Sequence, residues 1–269
     1  MNPPTPIQTD TGLEVLDFLC DEEFGARSSQ VRSVAGQMEG MRRIAHAFVE
    51  KPETILQELV NAAIDLCGAD SAGISIEKED RTDENFYHWV ATAGQYSGFL
   101  NAILPRYPSA CGVCLERGRP QRFRVSRRFF EIMGIEAPLV TYGILLPWTT
   151  DEVRGTIFVM AHGRDAAFDQ DDCQMMQILA DFAAMGVRQQ RQQGMLMEQA
   201  GAAAAAAMAN DLAHKINNPL QSLTNILYLA AEGHDGIEAK AVGKKAFGDL
   251  EKLSSLVKDL LSLPFLKTP

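Results

Sequence analysis

The sequence predicts an α+β domain built on one antiparallel sheet flanked by helices. A long helix joins that domain to an all-α antiparallel helical hairpin. Three observations predict this. Apolar residues alternate with a period of two in paired stretches between residues 71 and 162, the mark of half-buried strands. A helical signal then runs almost unbroken from Asp171 to about Glu232, with no proline before Pro219. A stop at Gly233-His-Asp-Gly236 separates it from a second apolar helix stripe that ends at Pro264.

Taken in order, residues 1 to about 10 are rich in proline and threonine and read as disordered. From Gly12 to about Gly68 the pattern is helical in two or three pieces, with Ile44, Phe48, Leu59 and Val60 among the apolar positions. Lys51-Pro52 marks a break. Ser71–Glu77 alternates like a strand, and Asn85–Thr92 reads as its antiparallel partner across a charged turn. An irregular insert, Ala93 to Pro138, holds short helical pieces and a strand near Gln121–Val125. Strands Val140–Trp148 and Gly155–His162 flank the turn Thr150–Arg154. Phe168-Asp-Gln-Asp-Asp172 opens a helix with acids on its first turn, where the helix dipole favours them. The boundaries that follow are 1–40 for an N-terminal segment, disordered and then helical, 41–190 for the α+β domain, and 191–269 for the hairpin.

Composition excludes several function classes. The formal charge of −10 weighs against nucleic acid and against anionic membrane as partners. No apolar run approaches the ~18 residues a membrane helix needs. The start, Met-Asn-Pro-Pro-Thr-Pro, lacks the basic-then-apolar order of a signal peptide. Five cysteines, an odd number, fit reduced thiols, and the expected location is the cytoplasm.

Within the long helix lies Asp211-Leu-Ala-His-Lys-Ile-Asn-Asn-Pro-Leu220. Leu212, Ile216, Leu220, Leu223 and Leu227 follow a 4-4-3-4 spacing, one buried stripe. His214 falls between Leu212 and Ile216 and projects from the opposite face, with Asn217 and Asn218 beside it. After the turn, Ala246, Leu250, Leu253, Val257 and Leu260 form a second stripe. Two helices alone cannot bury both stripes, so pairing with a second copy into a dimeric four-helix bundle is expected. The decapeptide resembles the H-box of sensor histidine kinases, and the hairpin resembles their dimerisation and histidine-phosphotransfer domain.

The α+β region resembles a GAF domain, a small-molecule sensing module common ahead of histidine kinase cores. The residues that carry this are Leu145-Leu-Pro-Trp148, Gly155-Thr-Ile-Phe-Val159, Phe168-Asp-Gln-Asp-Asp172 and Leu179-Ala-Asp-Phe-Ala183. Their order and spacing span about residues 40 to 190.

The kinase resemblance implies that His214 accepts a phosphoryl group and passes it to an aspartate of a response regulator receiver domain. A neutral imidazole nitrogen is nucleophilic near pH 7. The family places an acid after that histidine to hold the proton of the other ring nitrogen. Here Lys215 stands instead and cannot accept it, which weighs against efficient autophosphorylation. Asn218 matches the position where family members with phosphatase activity carry Asn or Thr, and an amide there can position water for in-line attack. Pro219 removes an N–H and is expected to bend the helix just below. Gly112, Gly118, Gly134 and Gly143 are scattered and form no phosphate cradle. ATP therefore comes only through a partner, such as a separate kinase or ATP-binding domain, or through a domain beyond this chain.

In the sensor domain, Cys111-Gly-Val-Cys114 has redox or metal spacing but no second pair, so packed or helix-start cysteines are the plainer reading. Ser109–Arg117 also resembles a segment that lies beside the pocket in a soluble subgroup of GAF domains. Cys111, Trp89 and Tyr142 are the pocket candidates, with His88 and His162 as further residues that could line it, although Trp89 and Tyr142 at strand positions are more often core. No cofactor and no metal site is identified: a haem or bilin wants a dedicated ligand residue, and none stands out. The ligand is not legible. Two alternatives to phosphotransfer stay open, a non-catalytic regulator and a receiver-binding phosphatase.

Overall fold

A computed structural model describes residues 11–17, 34–232 and 239–261. The turn expected at 233–236, the N-terminal ten residues and Leu260's side chain lie outside the described residues. The chain divides into two compact units on either side of Gln193.

The first unit holds a seven-stranded, fully antiparallel sheet in the order β1-β5-β6-β7-β2-β3-β4. Its central strands are β2 (Ser71–Glu77), β3 (Tyr87–Gly94), β5 (Gln121–Val125), β6 (Val140–Thr149) and β7 (Arg154–Ala161). These fall where sequence alternation places strands. The two edges do not. β4 (Ile103–Leu104) is only two residues long. β1 (Leu13–Asp17) lies in a stretch whose sequence reads as helical. Tertiary pairing decides it: β1 runs antiparallel to β5, with Glu14 opposite Arg124 and Asp17 opposite Gln121, and Arg119 pairs with the Asp17 carboxylate. Opposite charges facing across a ladder stabilise the pairing, and the helical pattern of five residues is too short to resist it.

Helices α1 (Val34–Glu50) and α2 (Ile55–Cys67) are separated by a 3-10 turn at Pro52–Thr54, the break expected at Lys51-Pro52. α2 ends on Gly68 in the left-handed conformation, φ 60°, which glycine adopts without steric cost. Helix α5 (Gln170–Ala231) starts with a reciprocal cap. Asp169 Oδ1 accepts the N–H of Asp171 and of Asp172, both at 3.0 Å, and Asp172 Oδ2 accepts the N–H of Asp169 at 3.1 Å. Such a box satisfies donors that a helix start otherwise leaves open, and is worth about 1 kcal/mol.

The sheet has two apolar faces and each is covered differently. On one face, Tyr142, Ile144, Leu146 and Trp148 of β6 pack with α1, α2 and the start of α5 in the larger core. On the other, Leu145, Phe158 and Met160 meet the insert helices α3 (Ala110–Arg117) and α4 (Arg127–Met133). In the second unit, the later part of α5 stays helical through Pro219. It is followed by α6 (Ala239–Leu261).

Candidate functional site

The second face of the sheet encloses a cavity of about 230 Å³. Its floor is strand residues: Trp89 of β3, Leu145 of β6, Phe158 and Met160 of β7. Phe123 and Val125 of β5, α3, α4 and Leu13 of β1 complete the walls. Two glycines make room for the rings. A Cβ on Gly73 would fall within the Phe158 ring, and one on Gly143 within the Phe123 ring. The aromatic rings of β7 and β5 therefore lie flat over bare backbone of the neighbouring strands.

Cys111 and Trp89 are brought together at this cavity, but Tyr142 is not. Side chains alternate along a strand, so Gly143 and Leu145 face the cavity while Tyr142 faces the helices. There it is fully buried, 5.9 Å from Phe168, with the Arg122 guanidinium over its ring. Tyr142 as a pocket residue is corrected on this ground. His88 sits by Asn101 Oδ1 at 3.2 Å, outside the cavity lining. His162 stacks on Tyr96 with centroids 5.1 Å apart, donates from Nδ1 to the Leu139 carbonyl and lies 2.7 Å from the Ser71 hydroxyl. It ties the cavity's rim together without lining it. The phenylalanines Phe99, Phe123, Phe129, Phe130 and Phe158 are lining residues that sequence reading missed. Strand alternation could have placed Phe123 and Phe158; nothing local marks the others.

The two thiols of Cys111-Gly-Val-Cys114 are structural. Ser109 caps α3 by accepting the Gly112 N–H at 3.3 Å, which sets Cys111 inside the first turn. Thr156 Oγ1 donates to Cys111 Sγ at 3.2 Å, and the Ser75 hydroxyl lies 2.9 Å from the same Thr156 oxygen. Cys114 Sγ donates to the Arg119 carbonyl. Burial pushes both thiols up from their ordinary range. A buried, protonated thiol is a poor nucleophile and a poor metal ligand. Among the described residues no cluster of three His, Cys, Asp or Glu is placed for a metal.

Still within the first unit, α5 is gripped where it leaves the sheet. Arg188 donates to Asp151 at 3.1 Å, and Arg191 donates to Glu152 at 3.0 Å and pairs with Glu79. Gln189 and Gln190 donate to carbonyls of Phe48, Pro52 and Glu53. The hairpins β2–β3 and β6–β7 thus both hold one turn of α5.

In the second unit, His214 is exposed on α5. Lys215 donates to the Asp211 carboxylate at 2.8 Å, and that hydrogen bond, then the charge, raises the ammonium above its ordinary value. Lys215, Asn218 and Pro219 line a cleft with Asp249, Lys252, Ser255 and Leu256 of α6. Asp249 is 7% exposed, with Lys252 Nζ at 3.4 Å. The stripe on α5 is narrower than its spacing suggests. Pro219 and Ile226 are buried and Leu212, Ile216 and Leu223 half-buried, whereas Leu220 and Leu227 stay 45% and 63% exposed. One partner helix covers only the side of the stripe nearest it. On α6 the same holds: Leu253 is half-buried, and Leu250 and Val257 are exposed.

No helix among the described residues is long and apolar enough to cross a membrane. No curated protein matches the sequence. Among solved structures, the chain is similar to the GAF domain of a phosphoenolpyruvate-protein phosphotransferase from Coxiella burnetii. Identity there is 17%, over 60% of this chain and 98% of that one, with a TM-score of 0.46. It is also similar to the second GAF domain of DevS from Mycobacterium smegmatis (22% identity, 54% and 99% covered, TM-score 0.42). A third is the GAF domain of a protein assigned as a sensor histidine kinase in Pseudomonas syringae pv. tomato (17%, 61% and 94%, TM-score 0.41). The GAF domain family model matches residues 51–187, half of the sequence, and the chain belongs to the GAF domain family.

Proposed function

We propose that this is a two-component signalling protein, in which the GAF domain senses a small molecule and the helical hairpin carries a phosphoryl group on His214. The observation that supports it is one helix face: His214 is exposed, and Asn218, one turn on, lines the cleft that α5 shares with α6. In uptake, a neutral ring nitrogen attacks phosphorus and the donor's leaving oxygen departs with its electron pair; the proton on the other ring nitrogen then passes to a nearby base or to water. In transfer, a carboxylate oxygen of the receiver's aspartate attacks the same phosphorus and the P–N bond breaks. The donor is a separate kinase, or an ATP-binding domain outside this sequence.

The functional unit in this reading is a homodimer. Leu220, Leu227, Leu250 and Val257 remain exposed on one hairpin, and a second copy would bury them in a four-helix bundle. The route from ligand to His214 would run through the strands under the cavity to the two hairpins that grip Arg188 and Arg191, and then along α5.

Incubation with a complete kinase or a phosphorylated receiver, followed by an acid-labile phosphate assay, tests the reading. Labelling is expected in the wild type and absent in His214→Gln. Equal labelling of the two would sink it. A second reading, a receiver phosphatase or a regulator without catalysis, is favoured by the Lys215–Asp211 pair, which puts an ammonium where a proton acceptor is wanted. Under it, Asn218→Ala slows loss of receiver phosphate without weakening binding, and His214→Ala leaves output intact while Leu253→Asp abolishes it.

A further inference from the structure

We infer that the GAF cavity takes an uncharged, largely apolar ring compound, the size of one or two fused six- or five-membered rings. The inference deepens the sensor reading above and rests on it. Three observations carry it.

The first is volume. At about 230 Å³ the space exceeds the ~150 Å³ apolar cavity known to stay dry and to admit benzene. It falls short of the ~300 Å³ at which pockets for drug-sized ligands begin. A tetrapyrrole does not fit, and a nucleotide fits poorly.

The second is charge. Among the described residues, no Asp, Glu, Lys, Arg or His belongs to the lining. A phosphate or carboxylate placed there would lose its water and gain no counter-charge, a cost that excludes it. Flat aromatic rings and the thioethers of Met133 and Met160 favour a polarisable, planar guest instead.

The third is how the polar groups in the wall are spent. The Ser109 hydroxyl accepts the Gly112 N–H, Cys111 accepts from Thr156, and the Tyr96 hydroxyl donates to the Pro138 carbonyl. The Trp89 indole N–H differs, being buried with no acceptor among the described residues. Buried donors are seldom left so. A guest therefore meets the unsatisfied Trp89 N–H and no charged side chain among the described residues, which suits an acceptor such as a phenol oxygen.

Equilibrium dialysis of the full chain against matched pairs tests this: p-cresol with 4-methylbenzoate, indole with indole-3-carboxylate, and AMP. The neutral members are expected to bind saturably with Kd below about 1 mM, at least tenfold tighter than their carboxylates and than AMP. Two filling variants from different walls, Ala110→Phe and Ala102→Trp, should each weaken that binding at least tenfold while unfolding no earlier than wild type. Tighter binding of the carboxylates or AMP overturns the class, as does no binding of either neutral compound. So does binding that both filling variants leave unchanged while remaining folded. If the neutral compounds bind as stated but never alter His214 labelling, the ligand class stands and sensory control of the bundle is what fails.

Discussion

The Phe158 ring occupies the space that a Cβ on Gly73 would need. The two residues face each other across the β2–β7 ladder, Gly73 opposite Phe158, and the ring is 2% exposed. Glycine in a strand is normally a loss of packing; here the missing methyl admits a neighbour's ring and sets one floor tile of the cavity. Gly73→Ala should cost about 1–3 kcal/mol, the range for overpacking a filled core. Displacement of the ring into the cavity should also weaken any ligand. Gly163, with nothing within 4 Å of its would-be Cβ, is the control. Chemical denaturation of the two alanine variants compares them, and equal stability would refute the account.

A second expectation concerns the thiols. Cys111 and Cys114 are buried and burial raises both; the same cause, with Asp172 after it, pushes Cys173 up to about 11. All three should escape iodoacetamide at pH 8 in the folded protein and react once denatured, as peptide mass spectrometry reads directly. The linkage sign follows from the direction of the shift. The folded state holds these protons more tightly than the unfolded chain, so the associated stability is present below the ordinary thiol range. It is lost as pH rises through the folded value, which for Cys173 means between about 9 and about 11. Rapid alkylation of native Cys111 would instead mark it as a reactive site.

How much of this was legible beforehand depends on whether a feature is local. The central strands alternate, and the cap at Asp169 is written in four consecutive residues, so both could be read. β1 could not: five residues take strand form because they pair with β5 from a distant segment and Arg119 meets Asp17, and no local pattern records that meeting. Tyr142 and Leu145 differ in the face they present, and a shift of one residue in counting moves a side chain from core to cavity. Leu220 and Leu227 belong to a stripe whose full burial is expected only with a second copy, and within one hairpin they stay exposed. The hairpin covers Ile226 and Pro219 in their place. His214 needed only helical spacing to be placed outward, and there the sequence sufficed.

Acid stability should depend on Glu77. Its carboxylate is 8% exposed and bound by Arg154, with Nη2 to Oε1 at 3.1 Å. The Arg154 hydrogen bond holds it below the ordinary carboxylate range against the opposing effect of burial. The folded value is depressed, so this contribution is present above about 4.5 and is lost as pH falls through the lower folded value. Arg154 is half exposed, which limits the pair's worth. Glu77→Gln should cost about 1–3 kcal/mol at pH 7. It should also flatten the fall in stability below pH 4.5 relative to wild type. Denaturation midpoints at pH 7 and pH 3.5 check both, and parallel pH profiles for the two proteins would show that Glu77 is not the group responsible.

The last expectation rests on the proposed phosphotransfer and turns on Lys215. Its ammonium is held by Asp211 at 2.8 Å, and Asp211, His214 and Lys215 are all exposed, so the carboxylate one turn before Lys215 is already neutralised. Lys215→Glu removes the cation and puts a proton acceptor beside His214, where it can favour the imidazole tautomer that attacks phosphorus. Placed four residues after Asp211, the new acid also repels it, a loss of only a few tenths of a kcal/mol on an exposed helix. Phosphate uptake by His214 from a complete kinase should therefore quicken, by about 10-fold or more if general-base help is what is missing, with helix content unchanged. Lys215→Ala separates the two effects: it frees Asp211 without adding an acid, and should fall between wild type and Lys215→Glu. If all three proteins take up phosphate at one rate, the residue after His214 has no part in proton handling, and Lys215 is better assigned to the cleft it shares with Asn218 and Lys252.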